Sequence, residues 1–121
     1  MEHLGIMTDL IRLNAQAAVD LLRRREVSPL EMIDAAISRI EATDGFLNAL
    51  PTLCIDRARD HAERIIKNQR SAVEHNPSWL GGLPIAIKDL NDVAGVKTTY
   101  GSPLFANHIP EQSDVMVQTL E

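Results

Sequence analysis

The sequence predicts an α/β fold, on three observations. Helix-period apolar patterning recurs in three segments of the first 70 residues. A short continuous apolar run, Leu83-Pro84-Ile85-Ala86-Ile87, stands between Gly81-Gly82 and the polar pair Lys88-Asp89, as a strand buried on both faces does. Helical and extended signals alternate along the chain, the order that layers helices on a sheet. Only two segments read as strands, and two strands do not make a self-sufficient sheet. The expectation is a helical hairpin at 10–45, then strand, helix, strand, loop and the start of a helix at 46–121. Together these form the opening portion of one larger α/β domain.

The first helix is expected at about 15–25, with Asn14 as its cap and Ala18, Leu21 and Leu22 as its apolar stripe. The second has the strongest local signal. Ser28-Pro29-Leu30-Glu31 reads as a capping box, and Leu30, Ile33, Ile37 and Ile40 fall on one face. Asp44-Gly45 is expected to end it, and the short link between the two helices predicts an antiparallel hairpin. A strand is expected within 46–55, held to an edge position by Pro51. A third helix follows at about 57–68, with Asp56 as cap and Ala58, Ala62, Ile65 and Ile66 inward. Residues 70–79 read as a loop with turn chemistry at Asn76-Pro77-Ser78. The strand at 83–87 comes next. Residues 90–110 make a long irregular connection, a type that is often functional. A last helix starts near Asp114, with Ser113 as its cap, and the sequence stops about two turns into it.

Charge and composition narrow the partners. Twelve basic against 17 acidic side chains give a formal net charge of −5, the wrong sign for a nucleic-acid binder. The one basic run, Arg23-Arg24-Arg25, reads as the solvated last turn of a helix, where cations complement the dipole. Aromatic residues make up 3% of the chain, so its core must rest on Leu, Ile, Val and Ala. Cys54 is the lone cysteine, which excludes an internal disulfide and fits a reducing compartment. Within its apolar run it reads as a small buried hydrophobe rather than a nucleophile. No secretory signal and no apolar run of membrane-spanning length is visible, so the expectation is a soluble cytoplasmic protein without a membrane partner.

Lys88 is the candidate for chemistry. It closes an apolar run, and lysine is rarely buried without a partner. Taking an ammonium out of water favours the neutral amine, and a neutral lysine acts as a general base. Alternatively, Lys88 emerges at the strand end and pairs with Asp89 or Asp92 in water. Spacing alone leaves both open and favours the second. Asp89 and Asp92 as a carboxylate pair read better as turn residues. His3, His61, His75 and His108 lack metal-ligand spacing, and Gly81-Gly82 lacks the helix start of a phosphate loop. No cofactor is expected.

The surrounding motifs change that weighting. Gly81-Gly82-Leu83-Pro84-Ile85-Ala86-Ile87-Lys88-Asp89-Leu90, then Asp92-Val93-Ala94-Gly95-Val96, then Thr98-Thr99-Tyr100-Gly101-Ser102, closely resembles the N-terminal signature of the amidase-signature family. Val27-Ser28-Pro29-Leu30-Glu31, Arg39-Ile40-Glu41, Leu47-Asn48-Ala49 and Ser113-Asp114-Val115 continue the likeness, which runs from about residue 10 to 120. The glycine–proline–lysine–aspartate motif alone is weak. With the Thr-Thr-x-Gly-Ser loop at the usual interval it is strong.

The resemblance implies a central mixed sheet flanked by helices, to which this chain gives the hairpin, the strand ending at Lys88 and the loop beyond. It also implies hydrolysis of a carboxylic amide by a Ser–cis-Ser–Lys triad, with Lys88 as base. The partners it implies are a small-molecule or acyl amide substrate and the remainder of the amidase domain, while assembly with further copies stays open. None of Ser28, Ser38, Ser71, Ser78, Ser102 or Ser113 lies in the Gly/Ser-rich segment that carries the family's nucleophile, and Ser102 reads as a turn-maker. The 121-residue chain is thus expected to be truncated and inactive alone. The rival expectations are a stand-alone binding module and a fragment completed by a separate serine-bearing chain.

Overall fold

The computed structural model describes residues 9–68 and 75–121. Among these, the chain forms α1 (Ala15–Arg23), α2 (Pro29–Leu47), α3 (Ile55–Lys67), a 3-10 turn at Pro103–Phe105, and α4 (Val115–Leu120). The residues group into two compact units. The first takes the described residues up to Pro51 together with Ile55–Pro84, and the second takes Thr52–Cys54 and Ile85–Glu121.

In the first unit, local chemistry fixes the helix ends. The Asn14 carboxamide oxygen accepts the Ala17 N–H at 2.9 Å and starts α1. The Arg23–Arg25 run ends it: Arg24 Nε lies 3.3 Å from Glu26, and the Arg23 guanidinium sits over the Trp79 ring at 5.9 Å. The capping box of α2 is complete. Ser28 Oγ accepts the Glu31 N–H at 3.2 Å, while Glu31 accepts the Ser28 N–H at 2.8 Å.

The expected stop of α2 at Asp44-Gly45 moves three residues on. Asn48 takes the left-handed conformation instead (φ 50°), and Asp44 Oδ1 gathers the N–H groups of Ala49 and Leu50. Asparagine tolerates that region better than most side chains, and Asp44 serves as the acceptor beyond the helix end, not as its last residue.

Ala18 and Leu22 of α1 pack with Met32 and Ala35 of α2 and with Leu10, and Leu21, Val27, Trp79 and Leu83 lie against them. The buried face of α2 therefore uses Met32, Ile33 and Ala35, whereas the expected Leu30, Ile37 and Ile40 are half-buried. The closest helix pairing in this unit joins α2 to α3, where Arg59 forms an ion pair with Asp34. Ala62 is the buried residue of α3, and Asp56 lies inside its first turn rather than capping it. Gly82 sits at φ +83°, where a Cβ would meet Pro29 at 2.9 Å, so the chain passes α2 only because no side chain is there. Part of the expected 70–79 loop lies outside the described residues. Its Asn76 turn is present, with Oδ1 accepting the Ser78 N–H at 2.9 Å.

The two expected strands are not found among the described residues. Residues 46–55 divide between the end of α2, a turn and the start of α3. Residues 83–88 carry no ladder: the N–H groups of Ile85, Ala86 and Ile87 make no backbone hydrogen bond there, and Ile85 and Ala86 are exposed. A strand is defined by its neighbour, and among the described residues this stretch has none to pair with. Cys54, expected to be buried, is exposed in the turn between α2 and α3, where no described strand forms to take it into a layer. No helix among the described residues is long and apolar enough to cross a membrane.

Candidate functional site

The second unit contains Lys88 and the long irregular connection. Few residues are buried here, chiefly Thr98, Pro110 and Val117. Polar bonding takes the place of a core. Backbone bonds lace 95–98 to 108–110, with Gly95 N–H donating to the Pro110 carbonyl at 2.9 Å and Thr98 N–H to the His108 carbonyl at 3.0 Å.

Side chains tie the rest. The Asp114 carboxylate accepts from Asn91 Nδ2 and from the Asp92 N–H, both at 3.1 Å, and Ser113 Oγ accepts the Ala94 N–H at 2.9 Å. This corrects the expected cap of the last helix. Neither Ser113 nor Asp114 caps α4 through its side chain. Both are drawn to unsatisfied N–H groups of the connection, a demand of the same chemical kind as a helix start.

Lys88 opens this connection. The Asn91 N–H donates to its carbonyl at 2.9 Å, and its side chain is exposed. Among the described residues it forms no ion pair with either neighbouring carboxylate, because both are engaged elsewhere. Asp89 takes the Thr99 N–H on Oδ1 at 2.8 Å and the Thr99 hydroxyl on Oδ2. Its carbonyl accepts the Tyr100 N–H at 2.9 Å. The Thr99 hydroxyl, then its N–H, hold the Asp89 carboxyl below the ordinary carboxylate value against the opposing effect of partial burial, with the Gly101 N–H and the Lys97 charge adding smaller pulls.

Asp92 takes the Tyr100 hydroxyl. That bond, with partial burial and the Asp92 and Asp114 charges behind it, pushes the Tyr100 phenol up to about 12. His108 Nε2 lies 3.3 Å from the same oxygen. With the phenol proton directed at Asp92, the oxygen is left to accept from an Nε2–H.

Tyr100 sits at φ 53°, followed by Gly101 at φ 66°. A bulky residue in the left-handed region is uncommon and costs about 1–2 kcal/mol. Four contacts hold it there: Asp89 through the backbone, Asp92 and His108 through the hydroxyl, and an edge-on Phe105 ring at 5.0 Å. Ser102 caps the 3-10 turn, its Oγ accepting the Leu104 N–H at 3.3 Å, which is the turn-making role expected of it.

Sequence reasoning singled out Lys88, Asp89 and Asp92 but missed Thr99, Tyr100, His108 and Asp114 as the groups that fix them. The dense Asp, Asn, Ser and Thr content of 89–114 was the available signal. It marks hydrogen-bond capacity without saying which groups meet.

A family model described as Amidase matches residues 31–121. A glutamyl-tRNA(Gln) amidotransferase subunit of Anaeromyxobacter dehalogenans is 36% identical over 113 residues, covering 93% of this chain and 23% of that protein. The corresponding protein of Geobacter sulfurreducens is 36% identical over 112 residues, covering 93% of this chain and 22% of that protein. A Pseudomonas putida amidase is 34% identical over 111 residues, covering 89% and 22%. The chain thus spans less than a quarter of the length of these relatives. No solved structure matches it.

Proposed function

Since the chain belongs to the amidase family, we propose that it carries the general base of an amide-cleaving site and that Lys88 is that base. The observation behind this reading is that the two carboxylates nearest Lys88 in sequence are held by Thr99 and Tyr100, while the burial that favours a neutral amine is left to the rest of the domain. An amine unmatched by a carboxylate releases its proton more readily than one in an ion pair.

In the reaction, neutral Lys88 Nζ takes a proton, through a bridging serine, from a nucleophilic serine hydroxyl. The serine oxygen bonds to the amide carbon, the C–N bond breaks, and the departing nitrogen takes the proton back. Water then hydrolyses the acyl-enzyme to the acid and regenerates the serine. Backbone N–H groups stabilise the oxyanion, a contribution of about 3 kcal/mol or more. Relatives named amidase and amidotransferase both imply a broken amide C–N bond. They differ in whether the nitrogen is released or passed to an acceptor.

Both serines and the oxyanion hole belong to residues other than 1–121, and alone this chain is inactive. It is the N-terminal part of one amidase domain, and residues 83–88 become a strand of a central mixed sheet once the rest of the domain supplies a neighbour. The exposure of Leu90, Leu104, Ile109 and Val115 supports such a partner.

The test is made on the native polypeptide that carries residues 1–121, labelled with a fluorophosphonate. A labelled band much larger than this chain is expected. Lys88→Met in that polypeptide should slow acylation by about 10³-fold or more. An unchanged acylation rate would remove Lys88 as base. An unlabelled band of the size of this chain would favour a binding module or a fragment completed by another chain.

A further inference from the structure

This inference rests on Lys88 lying at the amide-cleaving site and concerns what keeps its amine available. We propose that Thr99 is a positioning residue: by holding the Asp89 carboxylate, it prevents that carboxylate from pairing with Lys88.

Adjacent lysine and aspartate on an exposed stretch are free to form an ion pair, and Lys88 and Asp89 do not. Thr99 reaches both Asp89 oxygens, Oδ1 through its N–H and Oδ2 through its hydroxyl, and the Gly101 N–H adds a weaker bond to the same carboxylate. The direction of that hydroxyl is itself set, because its oxygen lies 3.3 Å from the Gly101 N–H and accepts from it, leaving the proton for Asp89. The left-handed Tyr100–Gly101 pair makes the arrangement possible, since it turns the chain so that the N–H groups of both Thr99 and Tyr100 reach residue 89.

Other charges of this bonding network are engaged as well. Lys97 acts on Asp89 only at longer range. Asp92 is taken by the Tyr100 hydroxyl, which also meets His108, and Asp114 is taken by Asn91 and the Asp92 N–H. Asp89 is the carboxylate next to Lys88 in the chain, and its release is the one that would bring a new charge to the lysine. The consequence is chemical: an ammonium paired with a carboxylate keeps its proton, and a base must give it up.

The experiment reads Lys88 directly, by competitive acetylation with acetic anhydride across pH in the native polypeptide carrying residues 1–121, with the Lys88 peptide quantified by mass spectrometry. Thr99→Val removes the hydroxyl and frees Oδ2. It should move the Lys88 midpoint upward by about half a pH unit, the scale of an exposed ion pair. Thr99→Ala, with less bulk, should do the same. Thr99→Ser should keep the wild-type midpoint, and adding Asp89→Asn to Thr99→Val should restore it.

A midpoint unmoved in both Thr99→Val and Thr99→Ala overturns the proposal, and so does a shift that survives Asp89→Asn. The readout does not depend on turnover, so it separates this inference from the assignment of the base. An acylation rate indifferent to Lys88→Met sinks that assignment while leaving the labelling result to judge Thr99.

Discussion

The two units of this chain are held together by different physics. In the first, α1 and α2 bury Leu22, Met32 and Ala35 together, and caps close the helix ends. In the second, a stretch with almost no core is fixed by carboxylates and hydroxyls that each satisfy backbone or side-chain donors. The difference teaches where function can be placed. Apolar packing is tolerant of exchange but does not aim a polar group. A hydrogen-bonded connection aims its groups, and each bond adds only about 1 kcal/mol net.

Substitutions should separate the two regimes. Leu22→Ala should have the largest effect on stability, about 3 kcal/mol lost from the helical unit by chemical denaturation, because a side chain only 2% exposed leaves a cavity. A loss under about 1 kcal/mol would mean that the helical unit does not depend on this core. Ser28→Ala should cost about 1 kcal/mol, since it deletes half of the capping box but no buried surface.

The smallest effect on global stability, and the sharpest on the connection, belongs to Tyr100. It is the sole tyrosine of the sequence, so absorbance near 295 nm reads it alone. Its phenol is raised from 10.0 to about 12 in the folded state. Its contribution to stability is therefore complete below pH 10 and lost as pH rises from 10 to about 12. Asp92→Asn should bring the spectroscopic midpoint back toward 10. A wild-type midpoint already at 10 would show that the bond to Asp92 does not hold the connection.

The same contrast decides what was legible in the sequence. Asn14, the Ser28–Glu31 box and the inward Ala18, Leu22 and Ala62 could be read, because a helix places residues three and four apart on one face whatever surrounds them. The end of α2 slipped to Asn48 because Gly45 and Asn48 both suit a left-handed cap, and only the reach of Asp44 to Ala49 and Leu50 chooses between them. In the second unit Lys88 stood out by its motif. Its surroundings did not, since the bonds from Thr99 to Asp89 and from Asp114 to Asn91 cross 10 and 23 residues and follow no period. Residues 83–88 read as a strand because their composition is that of one. Composition records what a segment will pair with if a partner arrives, not whether the partner is present.

The reach of Asp114 also sets an order of events during synthesis. Chains grow at about 5–20 residues per second, N-terminus first, so Asp114 is joined about one to five seconds after Asn91. Helices form within about a microsecond, so α1 and α2 have time to form long before that bond can close. Until Asp114 is made, the Asn91 carboxamide and the Asp92 N–H lack the acceptor that ties them, so the connection takes its fixed form only at the end of its own synthesis.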